Sequence, residues 1–329
     1  MIPECIELPF IGLRNGCDDS SFSGLYINDL EGISLRLASE SANGEIRKGE
    51  DLIRIKERMA IIETIRDFKL LVQNEIQLKD VIAKDSITGN WGDYETVGRV
   101  GFHIKRCADG LHRIEVQKFC VFPEDSLKAV VNINEDGQLR QIEVELEGGK
   151  ENCIKLNIKS KAQEIYVYVN LCTTRCKKIT ECTCNCGCNC CFDMTGIHMP
   201  DVEWIEGQYY VKTDVLCRCD FESLVCTYRD ELALAVLYKV GIKLLNEVVF
   251  TQNYSGLIAN SKADAAELLK IWEGVPAEST SALQQIIDPR SEYSKSLMPV
   301  VMMARQYLLN HCKDCIECTG YNIVTHCLN

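Results

Sequence analysis

The pattern of apolar and polar residues changes its period along the chain, and each period predicts a kind of element. Between residues 50 and 77, apolar side chains recur every three or four positions, which predicts an amphipathic helix. The members of this stripe are Leu52, Ile55, Met59, Ile62, Ile65, Phe68 and Val72. Residues 1–48 show short apolar runs and no sustained helical period, so we expect an extended arm with short strands there.

A two-residue period follows in residues 96–171, after a loop rich in Gly, Asn and Asp. Its clearest segment alternates three apolar residues with three glutamates: Ile142, Val144 and Leu146 with Glu143, Glu145 and Glu147. Asp136-Gly137 predicts a hairpin, because glycine accepts the positive φ of a tight turn. The region predicts five or six antiparallel strands in a sandwich or small barrel, with the glutamate face turned to water or a partner.

Residues 172–220 are predicted to form a Cys-rich loop. Their first part reads CTTRCKKITECTCNCGCNCC and has almost no apolar side chain other than cysteine and Ile179. Such a segment has too little apolar surface to build a hydrophobic core.

The remaining chain is predicted to be mainly helical. Asp220 is placed to cap a long helix that starts at Phe221 and has two apolar faces, so it is buried on both sides, as a central helix or a subunit contact. Residues 262–273 predict a shorter helix. A last helix is expected at 292–311, where Pro299 should start or kink it.

Together these patterns predict an α+β fold. Its parts are an N-terminal extended arm and helix, an antiparallel β-sandwich or small barrel, a Cys-rich loop and a helical C-terminal region. The expected boundaries are 1–48 for the arm, 49–95 for the helix and a linker, 96–171 for the β domain, 172–220 for the Cys-rich loop, 221–274 for the helical region, and 275–329 for a linker and the C-terminal helix with its cysteine cluster.

The net charge and the apolar segments of the chain argue against some classes of function. The net charge of −12 argues against binding to phosphate backbones, which depends on Lys and Arg. No signal peptide is visible at the start, so a reducing cytoplasm is the default compartment. The best candidate for a membrane span is interrupted by Lys239, Lys243 and Glu247, so we expect none.

Cysteine is the unusual component, with twenty residues that fall mostly into two clusters. The larger cluster has a CxCxCxC run that resembles metallothionein-like packing of soft ions, and zinc is the expected metal. The alternatives are disulfides formed late and incidental free thiols. The candidate metal ligands are Cys172, Cys176, Cys182, Cys184, Cys186, Cys188, Cys190, Cys191, Cys217, Cys219 and Cys226, and in the C-terminal cluster Cys312, Cys315, Cys318 and Cys327.

The C-terminal cluster has a spacing of its own. Cys312, Cys315 and Cys318 are separated by two residues each, a spacing found in iron–sulfur proteins, and His311 and His326 lie beside cysteines. No proline follows Cys327, and there is no second set of this kind. We therefore favour a zinc site or a plain helix end that carries thiols.

The sequence carries no common catalytic signature. The motifs GxSxG, GxxxxGK[ST], GxGxxG after a strand and HExxH are all missing, and the glutamates at 143, 145 and 147 fit the wet face of a strand. We therefore predict that the protein is not an enzyme.

The opening segments LPFIGLRNGC and GLYINDLEGISLRL, within residues 8–37, resemble an uncharacterised protein family from the structural gene blocks of phages and prophages of Bacteroides-type hosts, including the crAss-like group. Later segments fit the same family: WIEGQYYV at 204–211, RDELALAVLYKVGIKLLNE at 229–247 and LLKIWE at 268–273. The resemblance implies a virion component made in the bacterial host cytoplasm, in a neck or tail ring between portal and tail. It brings no catalytic residues with it.

Three hypotheses follow. The first is a non-enzymatic subunit of a head–tail connector or tail, which forms a homo-oligomeric ring and contacts other virion proteins, without sequence-specific nucleic acid or membrane. The second is a cytoplasmic thiolate metal-binding module or a zinc-stabilised adaptor. The third is an iron–sulfur or dithiol oxidoreductase that uses the C-terminal cysteines.

Overall fold

The computed structural model describes most of the chain, and the chain divides into two compact units that are treated separately below. The described residues are 2–14, 20–42, 46–76, 78–79, 81–106, 111–171, 174–180, 192–199, 205–251, 256–274, 288–311 and 316. The helical unit consists mainly of Met1–Gln77 and Phe221–Asn310, and the β unit consists mainly of Leu78–Asp220.

The described part of the helical unit contains a short 3₁₀ turn, Ile27–Asp29, and six helices. These are α1 (Leu35–Ser41), α2 (Ile46–Glu75), α3 (Phe221–Thr227), α4 (Arg229–Phe250), α5 (Gly256–Trp272) and α6 (Glu292–His311).

Helix α4 is the centre of this unit, as its two apolar faces predict. Leu237 and Leu244 are buried on one face, and Ala235 and Ile242 on the other. Helices α1, α2 and α5 all contact α4. At Gly241 a Cβ atom would lie 2.6 Å from the Trp272 ring, so glycine permits the close approach of α5.

The helices differ from the sequence prediction in several details. The predicted extended arm contains α1, which begins where the Ser34 hydroxyl accepts a hydrogen bond from the Leu37 amide. The long helix expected after Asp220 is two helices that meet at Tyr228. Helix α5 begins at Gly256 rather than 262. Pro299 does not start α6, which continues through it.

The described part of the β unit contains twelve strands. They are β1 (Val81–Ile87), β2 (Asn90–Thr96), β3 (Arg99–Arg106), β4 (His112–Val121), β5 (Leu127–Glu135), β6 (Gln138–Leu146), β7 (Asn152–Ser160), β8 (Glu164–Asn170), β9 (Arg175–Thr180), β10 (Phe192–Met199), β11 (Ile205–Glu206) and β12 (Val211–Cys219).

These strands form two larger sheets around one apolar core. The first has the order β1-β12-β4-β7, the second has the order β11-β10-β3-β8-β5-β6, and β2 pairs with β9 in a small third sheet. All the strand pairs among the described residues are antiparallel. The core takes side chains from both larger sheets, and the rings of Phe102 and Phe119 lie 6.1 Å apart within it. The α+β prediction is therefore confirmed; of its two alternatives the sandwich applies, because the sheets do not close into a barrel.

The predicted hairpin is present between β5 and β6. Asp136 and Gly137 both have positive φ, 48° and 90°, which matches the type I′ turn favoured in two-residue hairpins. The six strands from β3 to β8 also agree with the five or six expected between residues 96 and 171. Glu143, Glu145 and Glu147 are exposed, as the alternation predicts.

The β unit is larger than the sequence predicts. Its first strand begins at Val81, so the predicted linker within 49–95 contains β1 and β2. The predicted loop 172–220 contains β9 to β12. Strand β12 was hidden because two of its inward positions carry Thr213 and Cys217 instead of large apolar residues. Residues 181–191 of the Cys-rich segment lie outside the described residues.

Gly101 tests the packing of β3 against β8. A Cβ atom there would lie 2.1 Å from the Val167 carbonyl oxygen, so Gly101→Ala must push the two strands apart. We expect it to lower the free energy of unfolding by about 1–3 kcal/mol, measured by chemical denaturation. Gly256→Ala is the control, because nothing lies within 4 Å of its Cβ position, and it should change stability by less than about 0.5 kcal/mol. Equal stability of the two variants would contradict the described strand pairing.

Candidate functional site

Helix α2 presents part of its apolar stripe to the outside. An apolar stripe normally faces the core. Here Ile55, Met59 and Ile62 are 57%, 44% and 46% exposed, and only the C-terminal members of the stripe, Phe68 and Val72, are fully buried.

The inner face of α2 combines buried apolar residues, among them Ile53 and Ile61, with three polar side chains. Glu57, Thr64 and Asp67 are at most 3% exposed. Because burying a carboxylate is costly without partners, the two acids need hydrogen bonds or counter-charges inside the unit. Both have them.

Glu57 holds the N-terminal segment on α2. Its carboxylate accepts a hydrogen bond of 2.8 Å from the Ile11 amide and one of 3.1 Å from Arg54. Arg54 also donates to the Ile11 carbonyl oxygen at 2.9 Å. Both backbone groups of Ile11 are therefore satisfied by this one ion pair.

Asp67 ties α2 to two other helices. Its Oδ2 accepts hydrogen bonds from the Lys239 ammonium of α4 at 3.2 Å and from the Tyr293 hydroxyl of α6 at 2.9 Å. Burial, and secondly the Asp67 charge, raise the pKa of Tyr293 well above its ordinary value. The hydroxyl therefore keeps its proton and remains the donor in this bond.

Two further ion pairs run along the contact between α2 and α4. Lys243 contacts Glu63 at 2.6 Å, and Lys56 contacts Glu247 at 2.6 Å. We call these two pairs, together with Asp67–Lys239, the α2–α4 ladder. Because it fixes three turns of α2, the helix cannot rotate its outer residues inward without breaking several charge pairs.

The ladder leaves an apolar surface on the outside of the helical unit. We define the α2 outer surface as Ile55, Met59, Ile62 and Phe250, the last being 77% exposed at the end of α4. Met59 and Phe250 help to line an open groove of about 260 Å³, with Lys56 and Glu247 at its side. Sequence reasoning found the apolar residues and missed their direction, since the partners of α2 lie far along the chain.

Four of the predicted metal ligands lie in the described part of the chain. Cys176, Cys217 and Cys219 remain thiols, and burial raises the pKa of Cys176 to about 12, so this thiol stays protonated at neutral pH. Cys226 forms a disulfide with Cys5, which joins the N-terminal segment to α3. In this disulfide the Cys226 sulfur is not a thiolate, so metal binding by Cys226 stays a prediction for the reduced chain.

The other predicted ligands lie outside the described residues. They are Cys172, Cys182, Cys184, Cys186, Cys188, Cys190, Cys191, Cys312, Cys315, Cys318 and Cys327.

Within the described residues, one group has three metal-ligand atoms close together, and the sequence did not indicate it. The ligand atoms of Cys120, Glu151 and Cys153 all lie within 4.8 Å of one another. Cys120 and Cys153 are paired across β4 and β7 and form a disulfide. The group has the donors of a metal site, and its two sulfurs become thiolate ligands only after reduction. The strand register that joins them cannot be read from their spacing.

Among the described helices, none is both long and apolar enough to cross a membrane. No protein-family model matches the chain, and no curated protein matches it.

Removing the Asp67 carboxylate tests the ladder. Asp67→Ala removes the acceptor of the Tyr293 hydroxyl and the nearer of the two carboxylates that face Lys239, which keeps only Glu63 at 3.8 Å. We expect a loss of about 3–5 kcal/mol in the free energy of unfolding, measured by chemical denaturation. Arg66→Ala is the control, since this exposed side chain also contacts Asp67, at 3.6 Å, and its loss should cost less than about 1 kcal/mol. Similar losses in both variants would show that the ladder does not hold α2.

Proposed function

We propose that the protein is a non-enzymatic structural subunit that assembles with copies of itself through the α2 outer surface. The observation that carries this proposal is the exposure of Ile55, Met59 and Ile62 at helical spacing beside Phe250. Exposed apolar residues that form one patch, unlike scattered ones, mark interaction surfaces.

The charge around the patch supports a second copy as the occupant. Arg58 and Arg66 are exposed beside the patch on the same helix, where Asp51 is exposed as well, whereas the whole chain carries a net charge of −12. The exposed Glu143 and Glu145 of β6 offer an acidic counterpart in the same chain. A contact between two different surfaces of identical subunits is heterologous, and such contacts form a ring when the rotation from one subunit to the next closes.

The resemblance of the opening segments supports placing this assembly in a phage virion, as a ring-forming neck or tail subunit at the head–tail connector. There it would contact copies of itself and other virion proteins. The acidic character of the chain fits a channel for DNA, because like charge keeps a passing duplex from adhering.

Light scattering with size-exclusion chromatography tests the assembly. We expect the purified chain to elute as a multiple of 37.2 kDa and Ile62→Glu to shift it toward the monomer, because a charge buried at an apolar contact is costly. Ile271→Glu is the matched control, since Ile271 is 53% exposed on α5, outside the patch, and it should keep the oligomer. A wild-type chain that stays monomeric at high concentration would contradict the proposal.

A second candidate role, zinc stabilisation, is favoured by the cluster of Cys120, Glu151 and Cys153. Two thiolates and a carboxylate are typical zinc ligands, and a water completes a tetrahedral site. In this hypothesis, β4 and β7 are linked by the disulfide when the cysteines are oxidised and by the zinc ion when they are reduced.

Zinc content before and after reduction tests this candidate. We expect the reduced chain to bind one more zinc ion than reduced Cys153→Ser, because the variant loses one of the three ligands. Zinc is measured by elemental analysis after desalting, and Glu147→Gln, at an exposed carboxylate outside the group, is the control. Equal zinc content in the wild-type chain and Cys153→Ser would exclude the site.

A further inference from the structure

The outer face of the six-stranded sheet carries aromatic and amide side chains in register. Gly101, Tyr168, Asn132 and Gln141 are successive partners across β3, β8, β5 and β6. Arg99 pairs with Asn170 in the neighbouring row. This composition differs from that of a solvent-exposed sheet face rich in charged residues, such as the end of β6 with Glu143 and Glu145.

These side chains line an open groove of about 430 Å³. The volume lies within the range of small-molecule sites, about 300–1,000 Å³. Among the described residues, its polar lining consists of Arg99, Lys128, Asn132, Gln141, Tyr168 and Asn170 and includes no carboxylate. The groove therefore offers amide and hydroxyl groups together with positive charge.

The amides at the floor of the groove are held in place. Asn132, which is 7% exposed, donates to the Val130 carbonyl oxygen at 3.2 Å and accepts a hydrogen bond of 2.8 Å from Gln141. This pairing uses one N–H of Gln141 and leaves its carbonyl oxygen and second N–H for a ligand. A ligand with adjacent hydroxyl groups can donate to the first and accept from the second.

Arg99 supplies a positive charge to the groove. Its guanidinium lies 5.9 Å from the centroid of the Tyr168 ring and donates to the Met199 sulfur at 3.7 Å. No carboxylate among the described residues lies within ion-pair distance of it. Lys128, by contrast, contacts Glu145 at 3.3 Å. Arg99 is thus the cation in the groove that is available to a carboxylate ligand. Its planar guanidinium can form a bidentate pair of hydrogen bonds with that carboxylate.

We propose that this groove binds an oligosaccharide that contains a uronic acid. The Tyr168 ring provides an apolar surface for the C–H face of a pyranose, the Asn132–Gln141 pair binds ring hydroxyls, and Arg99 binds the uronate carboxylate. The groove lies in the β unit and shares no residue with the α2 outer surface. The inference therefore goes beyond the proposed assembly and does not depend on it.

Isothermal titration of the purified chain tests the proposal with three probes: tetrasaccharides of galacturonate, of guluronate and of hyaluronan. We expect at least one to bind, and Arg99→Gln to weaken that binding at least about tenfold through loss of a charged hydrogen bond. Tyr168→Ala should weaken it by a similar factor. Lys105→Gln is the control, because Lys105 is exposed on β3 and does not line the groove. The methyl ester of the bound probe lacks the negative charge. It should bind the wild-type chain as weakly as the unmodified probe binds Arg99→Gln.

Several results would overturn the proposal. These are a lack of binding to all three probes, equal affinity of the methyl ester, and unchanged affinity in Arg99→Gln. Tighter binding of an acidic hexapeptide than of any probe would assign the groove to a peptide instead. Thermal unfolding of each variant shows whether it is folded, and Arg99→Lys, which keeps the charge and loses the fork, should bind with intermediate affinity.

Discussion

The hydrogen bonds of the buried Asp67 carboxylate determine how the helical unit is arranged. Asp67 joins α2 to Lys239 of α4 and to Tyr293 of α6, segments that lie 172 and 226 residues away in the chain. Because an unpaired carboxylate at this depth would be far more costly than exposed methyl groups, α2 keeps Glu57 and Asp67 inward, together with apolar residues such as Ile61. The exposure of Ile55, Met59 and Ile62 is the consequence.

This arrangement connects stability to the proposed assembly. The interior of the helical unit contains charges that are satisfied by specific partners, which fixes the rotation of α2, and the apolar residues that this rotation exposes become the surface offered to a second copy. The β unit follows a simpler rule. Its two larger sheets cover one continuous apolar core. The polar groove lies on the outer face of the six-stranded sheet, so its polar residues do not interrupt that core.

Local signals in the sequence were sufficient wherever structure depends on local chemistry. Asp136-Gly137 specified its hairpin through the positive φ of both residues, and the two apolar faces of α4 specified a central helix. These local signals do not predict contacts between residues that lie far apart in the chain. The direction of α2 depends on Lys239, the metal-ligand group depends on the register of β4 and β7, and β12 was hidden by its inward threonine and cysteine.

The α2–α4 ladder holds Ile55, Met59 and Ile62 of the apolar stripe outward, where we propose that a second copy covers them. Photo-crosslinking from position 62 tests this most directly, with benzoylphenylalanine in place of Ile62 and mass spectrometry of the products. We expect covalent dimers of the 37.2-kDa chain, formed at the concentrations where light scattering detects an oligomer. Crosslinks confined to the interior of the same chain would contradict it, because position 62 would then face the core.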